Sequence, residues 1–336
     1  DPLWSRGLGD VYKRQLLSAA AIALTACGST TVPTATSAPS AAFPTSASGE
    51  LHVYNWTDYL DTTTLEQFTK ETGIKVVLDV YDSNETMLAK MQSGNTGYDV
   101  IFPSDYMITA MRELNLLQPI DLPQFPNYSN IKPEWQHVAW DQDRMYSAPY
   151  MYGTTAIACI PSKTDCAAVK SWHDFFTSKD PAITTVKDQM EVVSAALRAV
   201  GVPASDLCST DRTKYQAASD LLAGFKPRVI DSDSMTERLM SGVSAMALTW
   251  NGEVHRARTK VPDIQYIYPT EGANRWADNM AIPVGATNID AAKLFINWMM
   301  DPKVIASQSN YTAYDNGISG SEKYMDPALT SDPAIV

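Results

Sequence analysis

No stretch of this chain reaches the roughly 18–20 consecutive apolar residues that a membrane-spanning helix needs. Basic charge is also scarce. Lys and Arg number 26 against 38 Asp and Glu, a net charge of −12. That balance argues against nucleic acid as a partner and mildly favours a cationic ligand. Histidine is sparse, and His52, His137, His173 and His255 show no metal-ligand spacing. Cysteine is limited to Cys27, Cys159, Cys166 and Cys208, again without a metal signature. No Gly-x-Ser-x-Gly elbow and no phosphate loop occurs. Neither a cofactor nor a metal is expected.

What is present is a globular composition, 45% hydrophobic over 336 residues, long enough for two domains. The first 15 residues read as a non-native leader and are set aside. Residues 16–26 are almost all small or apolar, which fits a signal-peptide h-region. They end in Leu24-Thr25-Ala26-Cys27-Gly28, which resembles a bacterial lipobox. The resemblance implies cleavage before Cys27 and a lipid on its sulfur. Residues 27–49 hold Ser, Thr, Ala and Pro with no charge, a composition that does not order itself. They read as a tether, and the folded body is expected from Glu50.

The body alternates strand and helix patterns. Leu51-His52-Val53 favours a strand, and Leu65 and Phe68 sit on an amphipathic pattern closed by Gly73. Residues 75–81 are β-branched. Ser83 or Asn84 caps a helix through Met87 and Met91. Residues 98–102 form a buried strand, and Pro103-Ser104-Asp105-Tyr106 opens a helix. This β-α-β-α-β order predicts a parallel sheet with right-handed crossovers. Further on, residues 152–158, 244–250 and 264–268 read as strands, the middle one followed by a turn at Asn251-Gly252. Residues 188–200 and 291–300 read as helices. Cys166 and Cys208 lie in polar, loop-like sequence and are the expected disulfide pair; Cys159, in an apolar run, is expected as a buried thiol.

The stretch Tyr54-Asn55-Trp56-Thr57-Asp58-Tyr59 reads as the turn between the first strand and first helix. Ligands sit in such turns at the carboxyl ends of parallel strands. Two flat π faces and a carboxylate suit an organic cation. The competing reading has the aromatics capping the core and Asp58 starting the helix.

Taken in order, Tyr54-Asn55-Trp56-Thr57-Asp58-Tyr59, Glu71-Thr72-Gly73-Ile74-Lys75-Val76, Ser83-Asn84-Glu85-Thr86-Met87, Pro103-Ser104-Asp105-Tyr106, Trp250-Asn251-Gly252 and Trp276-Ala277-Asp278 resemble the spermidine/putrescine-binding proteins of bacterial ABC importers. The likeness covers roughly residues 50–318. It implies an α/β, two-lobed periplasmic-binding-protein fold of type II, each lobe a mostly parallel sheet flanked by helices, joined by hinge strands. The crossings would fall near residues 149–153 and 271–278. Lobe one would hold residues 50–150 plus 279–312, and lobe two 151–276 plus 313–336. The resemblance also implies an aromatic box of Trp56, Tyr59, Tyr106, Trp250, Trp276 and Tyr311. Asp58, Asp188, Glu191 and Asp278 would bind ammonium groups, and Thr57 and Ser104 would add polar contacts. Glu253 adds a carboxylate where some putrescine-preferring relatives also carry one. Asp105 stands where some relatives are neutral. The family continues for several tens of residues beyond the position matching Val336, so the carboxyl end is expected to be truncated.

The residues fit that chemistry on their own terms. A polyamine is an apolar methylene chain bearing full positive charges, so its site needs flat walls and spaced carboxylates. Asp188 and Glu191, three apart, share a helix face; the bland alternative is helix capping. The implied activity is extracytoplasmic binding of spermidine or putrescine and delivery to an importer permease, by a monomer held to a bacterial membrane through Cys27. Two rivals remain: a binding protein of the same fold for another small solute, and a carboxylate-dependent glycoside hydrolase, since Trp platforms with paired carboxylates describe those enzymes too.

Overall fold

The computed structural model describes residues 42–209 and 211–335; the expected leader, h-region and Cys27 lie outside them. Ten strands appear among the described residues: β1 Glu50–Trp56, β2 Lys75–Tyr81, β3 Val100–Ile101, β4 Ser147–Cys159, β5 Ile183–Thr185, β6 Val229–Ile230, β7 Met246–Trp250, β8 Gln265–Ile267, β9 Asn274–Ala281 and β10 Asp315–Asn316. They pair in the order β2-β1-β3-β9-β4-β7-β5-β6, with β8 and β10 also on β4.

At one end, β2, β1 and β3 are parallel, with helices Thr62–Thr72 and Asn84–Gln92 between them in sequence. This is the β-α-β-α-β unit expected from the pattern. At the other end, β7, β5 and β6 are parallel. The two groups are joined by β9 and β4, which pair antiparallel with a register shift between Pro149 and Tyr152. One apolar core gathers Leu51, Val53, Phe68 and Phe102 with Phe295 and Ile305; another gathers Ile157, Trp172, Phe175, Leu197 and Leu248. Trp250 packs against both. The segment after residue 312 is shared: Tyr314 and Ile318 pack in the first core, whereas Asp332 bonds to His255 and Arg258, and Asn251 Nδ2 donates to Ala334 O.

Four local readings are corrected. First, β1 runs through Trp56, so Tyr54 and Asn55 are strand residues and the turn begins at Thr57. Asp61, not Asp58, caps helix Thr62–Thr72 by accepting from Thr63 N. Asp58 instead takes a left-handed backbone, φ 54°, which Asp tolerates better than most residues. Second, Asn251 and Gly252 open helix Asn251–Ala257 rather than a turn. Third, the disulfide joins Cys159 to Cys166, with Cα atoms 5.7 Å apart, and Cys208 is a free, exposed thiol. The chain reverses just past β4, where Lys163 N and Thr164 N both bond to Ile160 O, which brings Cys166 back beside Cys159. Fourth, packing begins before Glu50: the Phe43 ring meets Phe125 edge-on at 4.9 Å, and Ala47 rests on the same core.

Candidate functional site

Strand ends and helix starts from both groups converge on a cavity of about 580 Å³. All thirteen residues singled out from sequence lie on its wall. Trp56, Thr57, Asp58 and Tyr59 come from the end of β1 and the following turn. Ser104 and Tyr106 stand at the start of helix Asp105–Glu113, and Asp188 and Glu191 at the start of helix Gln189–Ala199. Trp250 ends β7, and Glu253 follows in the next helix. Trp276 and Asp278 alternate on one face of β9, as period-two side chains must. Tyr311 comes from helix Pro302–Thr312 and is the most open of the aromatics.

The rings are held in place. Trp56 Nε1 donates to Phe102 O at 2.9 Å, and the Tyr81 ring lies 4.9 Å from the Trp56 ring. Tyr314 meets the ring of Trp276 at 5.0 Å and that of Tyr59 at 5.8 Å, both edge-on. Gly153 makes the Trp276 position possible: a Cβ there would stand 2.6 Å from the Trp276 ring and 2.5 Å from Asn251 Oδ1.

The carboxylates differ in their freedom. Asp278 is buried; Tyr59 Oη donates to its Oδ2 at 2.8 Å and Ser104 Oγ to its Oδ1 at 2.6 Å. Asn84 Nδ2 in turn donates to Ser104 Oγ. Burial nevertheless pushes the Asp278 carboxyl up to about 7. Asp188 caps its helix by accepting from Glu191 N at 3.2 Å, so the capping reading holds alongside its place on the cavity wall. Burial raises Asp188, and burial followed by the charge of Asp188 raises Glu191. Asn274 Nδ2 donates to Glu191 Oε2 at 2.9 Å. Asp58 is exposed at the rim.

Glu253 is not a free carboxylate. Its Oε2 accepts from Thr236 N at 3.1 Å and Thr236 Oγ1 at 2.6 Å, and its Oε1 pairs with Arg256. It reaches the cavity wall with its charge already matched.

Several wall residues were given no ligand role from sequence. Asp105 is among them, its carboxyl pushed up to about 6 by burial. Asp82 pairs with Lys187, and Asp233 and Tyr314 complete that side. Arg198 and Arg275 also line the cavity; the Arg275 guanidinium lies 5.3 Å from the rings of both Trp135 and Tyr152. Tyr314 lies three residues beyond Tyr311, in a stretch whose spacing is shifted from the family pattern. The others carry no local signal, because single polar residues outside a motif are common on any surface.

The wall therefore alternates apolar ring faces with carboxylates. Asp105, Asp188, Glu191 and Asp278 have no Lys or Arg ion-pair partner among the described residues. Such a wall favours a slender ligand carrying positive charge, which would supply the missing counter-ions.

Known proteins share both sequence and fold. The spermidine/putrescine-binding periplasmic protein of Escherichia coli K12 is 34% identical over 289 residues, covering 85% of this chain and 82% of its own length. The putrescine-binding periplasmic protein SpuD of Pseudomonas aeruginosa is 33% identical over 307 residues, with 85% and 83% covered. A solved spermidine/putrescine ABC transporter substrate-binding protein of Streptococcus pneumoniae superposes with a TM-score of 0.69 at 32% identity, covering 85% of this chain and 88% of its own. The fold is the two-lobed, type II periplasmic-binding-protein architecture. Residues 63–336 match the sequence model of the bacterial extracellular solute-binding proteins, and the chain belongs to that family.

Proposed function

We propose that this protein binds spermidine or putrescine outside the cytoplasm and presents it to the permease of an ABC importer. The observation that carries the reading is the set of three buried carboxyls, Asp188, Glu191 and Asp278, with the half-buried Asp105 beside them, all without Lys or Arg ion-pair partners among the described residues and set among indole and phenol rings. Charge-assisted hydrogen bonds to such groups contribute about 1.5–3 kcal/mol each. Cation–π contacts on desolvated rings add about 0.5–2 kcal/mol. Two or three of each exceed the several kcal/mol lost on ordering a flexible ligand, which leaves affinity on the order of micromolar or tighter. The names of the relatives support the same ligand class.

The lobes we assign are residues 50–150 plus 279–312 and residues 151–276, with 313–336 shared between them. They close on the ligand by bending at β4 and β9. Cys27 anchors the mature chain to a bacterial membrane through lipid, and the protein acts as a monomer. A solved relative from Treponema pallidum, 28% identical with a TM-score of 0.73, is described as a lipoprotein. No helix among the described residues is long and apolar enough to cross a membrane.

Catalysis is the weaker reading. A glycosidase needs one acid and one base or nucleophile flanking a single bond. Here the unpaired carboxyls are spread along the wall from several elements. Calorimetric titration with spermidine, putrescine, an amino acid and a disaccharide tests the proposal. Binding of either polyamine at micromolar levels is expected. Heat from the amino acid or the disaccharide alone would overturn it.

A further inference from the structure

Glu191 sits on a helix that packs against the start of β9, and the contact between them is built from three polar groups in a row. Asn274 Nδ2 donates to Glu191 Oε2 at 2.9 Å. Arg198 Nε donates to Asn274 Oδ1 at 3.2 Å. Arg198 Nη1 donates to Glu271 O at 3.1 Å. The orientation of the amide follows from chemistry: a carboxylate only accepts and a guanidinium only donates. Nδ2 must face Glu191 and Oδ1 must face Arg198. Glu191 and Arg198 are seven residues apart on one helix, about two turns or about 10 Å along its axis. The amide therefore spans the two ends of this helix face. Asn274 opens β9, the strand that carries Trp276 and Asp278.

We propose that Asn274 and Arg198 are positioning residues for Glu191: the guanidinium orients the amide, and the amide holds one Glu191 oxygen so that the other faces the ligand as a carboxylate. This rests on the polyamine reading given above. Glu191 has otherwise unfavourable company. Asp188 precedes it by one turn, Asp105 faces it from the start of helix Asp105–Glu113, and the Tyr266 phenol lies nearby. Buried beside two acids, a carboxyl keeps its proton, and a protonated Glu191 does not pair with an ammonium ion. Among the groups that favour its charged form the Asn274 amide N–H comes first, followed by Thr155 on β4, and Arg198 bonds to the far side of that amide. Arg198 also ties residue 271 to the helix. That fixes β9 and Glu191 in one register and sets the distance between Glu191 and Asp278.

The test has a readout that needs no ligand. The Glu191 side-chain carboxyl is followed by carbon-13 NMR against pH in the wild type and in Arg198→Met, Asn274→Leu and Arg198→Lys. Arg198→Met keeps the apolar stem and removes the orienting donor. The expected result is a Glu191 midpoint about one unit higher or more in Arg198→Met and Asn274→Leu, with Arg198→Lys restoring most of it. Spermidine titration at pH 7 should show about tenfold weaker binding per unit of that shift, and the loss should shrink toward pH 9. In a Glu191→Gln background, Arg198→Met should add little. An unmoved Glu191 midpoint in both folded variants, or a loss of affinity equal at every pH and fully additive with Glu191→Gln, would overturn the proposal. If the wild type binds no polyamine, the ligand reading fails alone, and the NMR midpoints still decide the relay.

Discussion

Burial raises the carboxyls on the cavity wall, so pairing with a cationic ligand favours loss of their protons, and Asp278 sets the scale. Its carboxyl is raised to about 7, chiefly because it is buried. An unfolded Asp titrates near about 3.9. A group raised in this way adds stability to the empty protein that is complete below the unfolded value and is lost as pH rises through the folded one. Ligand binding has the opposite dependence, because the ammonium pairs with the ionised form. With a midpoint of about 7, ionisation rises from about 9% at pH 6 to about 91% at pH 8, so affinity rises about tenfold, or about 1.4 kcal/mol, from this group alone. Asp105, raised to about 6, adds about a further twofold over the same range by the same relation. Glu191 and Asp188, both raised, push in the same direction.

The assay is spermidine calorimetry at pH 6, 7 and 8 in buffers of different ionisation enthalpy. The slope of apparent enthalpy against buffer enthalpy counts protons released. Release of about one proton or more is expected near pH 7, falling toward pH 9. Asp278→Asn should flatten the pH dependence and weaken binding at pH 8 by about 10- to 150-fold, the loss of one charge-assisted hydrogen bond. Affinity that stays flat from pH 6 to pH 8 with no proton release would refute the reasoning.

Glu253→Gln disturbs a carboxylate already matched by Arg256 and Thr236, so it should cost about 1–3 kcal/mol of stability in thermal or urea unfolding. Putrescine and spermidine affinities should fall in parallel; a selective loss for putrescine would reopen a ligand role for Glu253. Gly153→Ala forces a methyl against the Trp276 ring and Asn251, and should cost about 1–3 kcal/mol of stability and weaken ligand binding with it; unchanged melting and affinity would show that the crossing strands yield easily. Reducing the Cys159–Cys166 bridge, which closes a short loop of sequence separation 7, should lower stability by about 2–3 kcal/mol on the chain-entropy estimate. Melting with and without reductant, compared with Cys208→Ser, which should be neutral, checks the pairing.

The cavity was legible because its chemistry is dense where strands end. Trp56 and Trp250 end their strands and Tyr59 follows shortly after β1, where an aromatic side chain has little reason to be unless something is held there; Trp276 and Asp278 lie inside β9. The parallel unit was legible for a different reason: β-branched runs and amphipathic helices at short spacing leave few alternatives. The disulfide was not. Cys159 looks like a core residue because it is one, and only the reversal at Ile160 brings Cys166 beside it. Asn274 and Arg198 were invisible because their roles arise where a helix and a strand distant in sequence meet.

Glu253 lines the cavity as the resemblance implied, but the local structure decides how much of its charge is free. With Asn251-Gly252 taken as a turn, the residues that follow have no fixed faces, and sequence alone assigns Glu253 no partner. Once residues 251–257 are a helix, positions three apart share a face, and Arg256 becomes the nearest partner. Trp250 at the end of β7 already pointed that way, since a strand that ends in a parallel sheet is commonly followed directly by its crossover helix. Gly252 fits the same picture: a Cβ there would stand 2.5 Å from the Tyr314 ring, so the glycine marks close packing of the helix start rather than a loop. The charge available to a ligand is thus decided less by how many acids a sequence places near a cleft than by which of them has a cation one helical turn away. Asp188 and Glu191 have none there, since the first basic residue of their helix is Arg198, two turns on and bonded to Asn274.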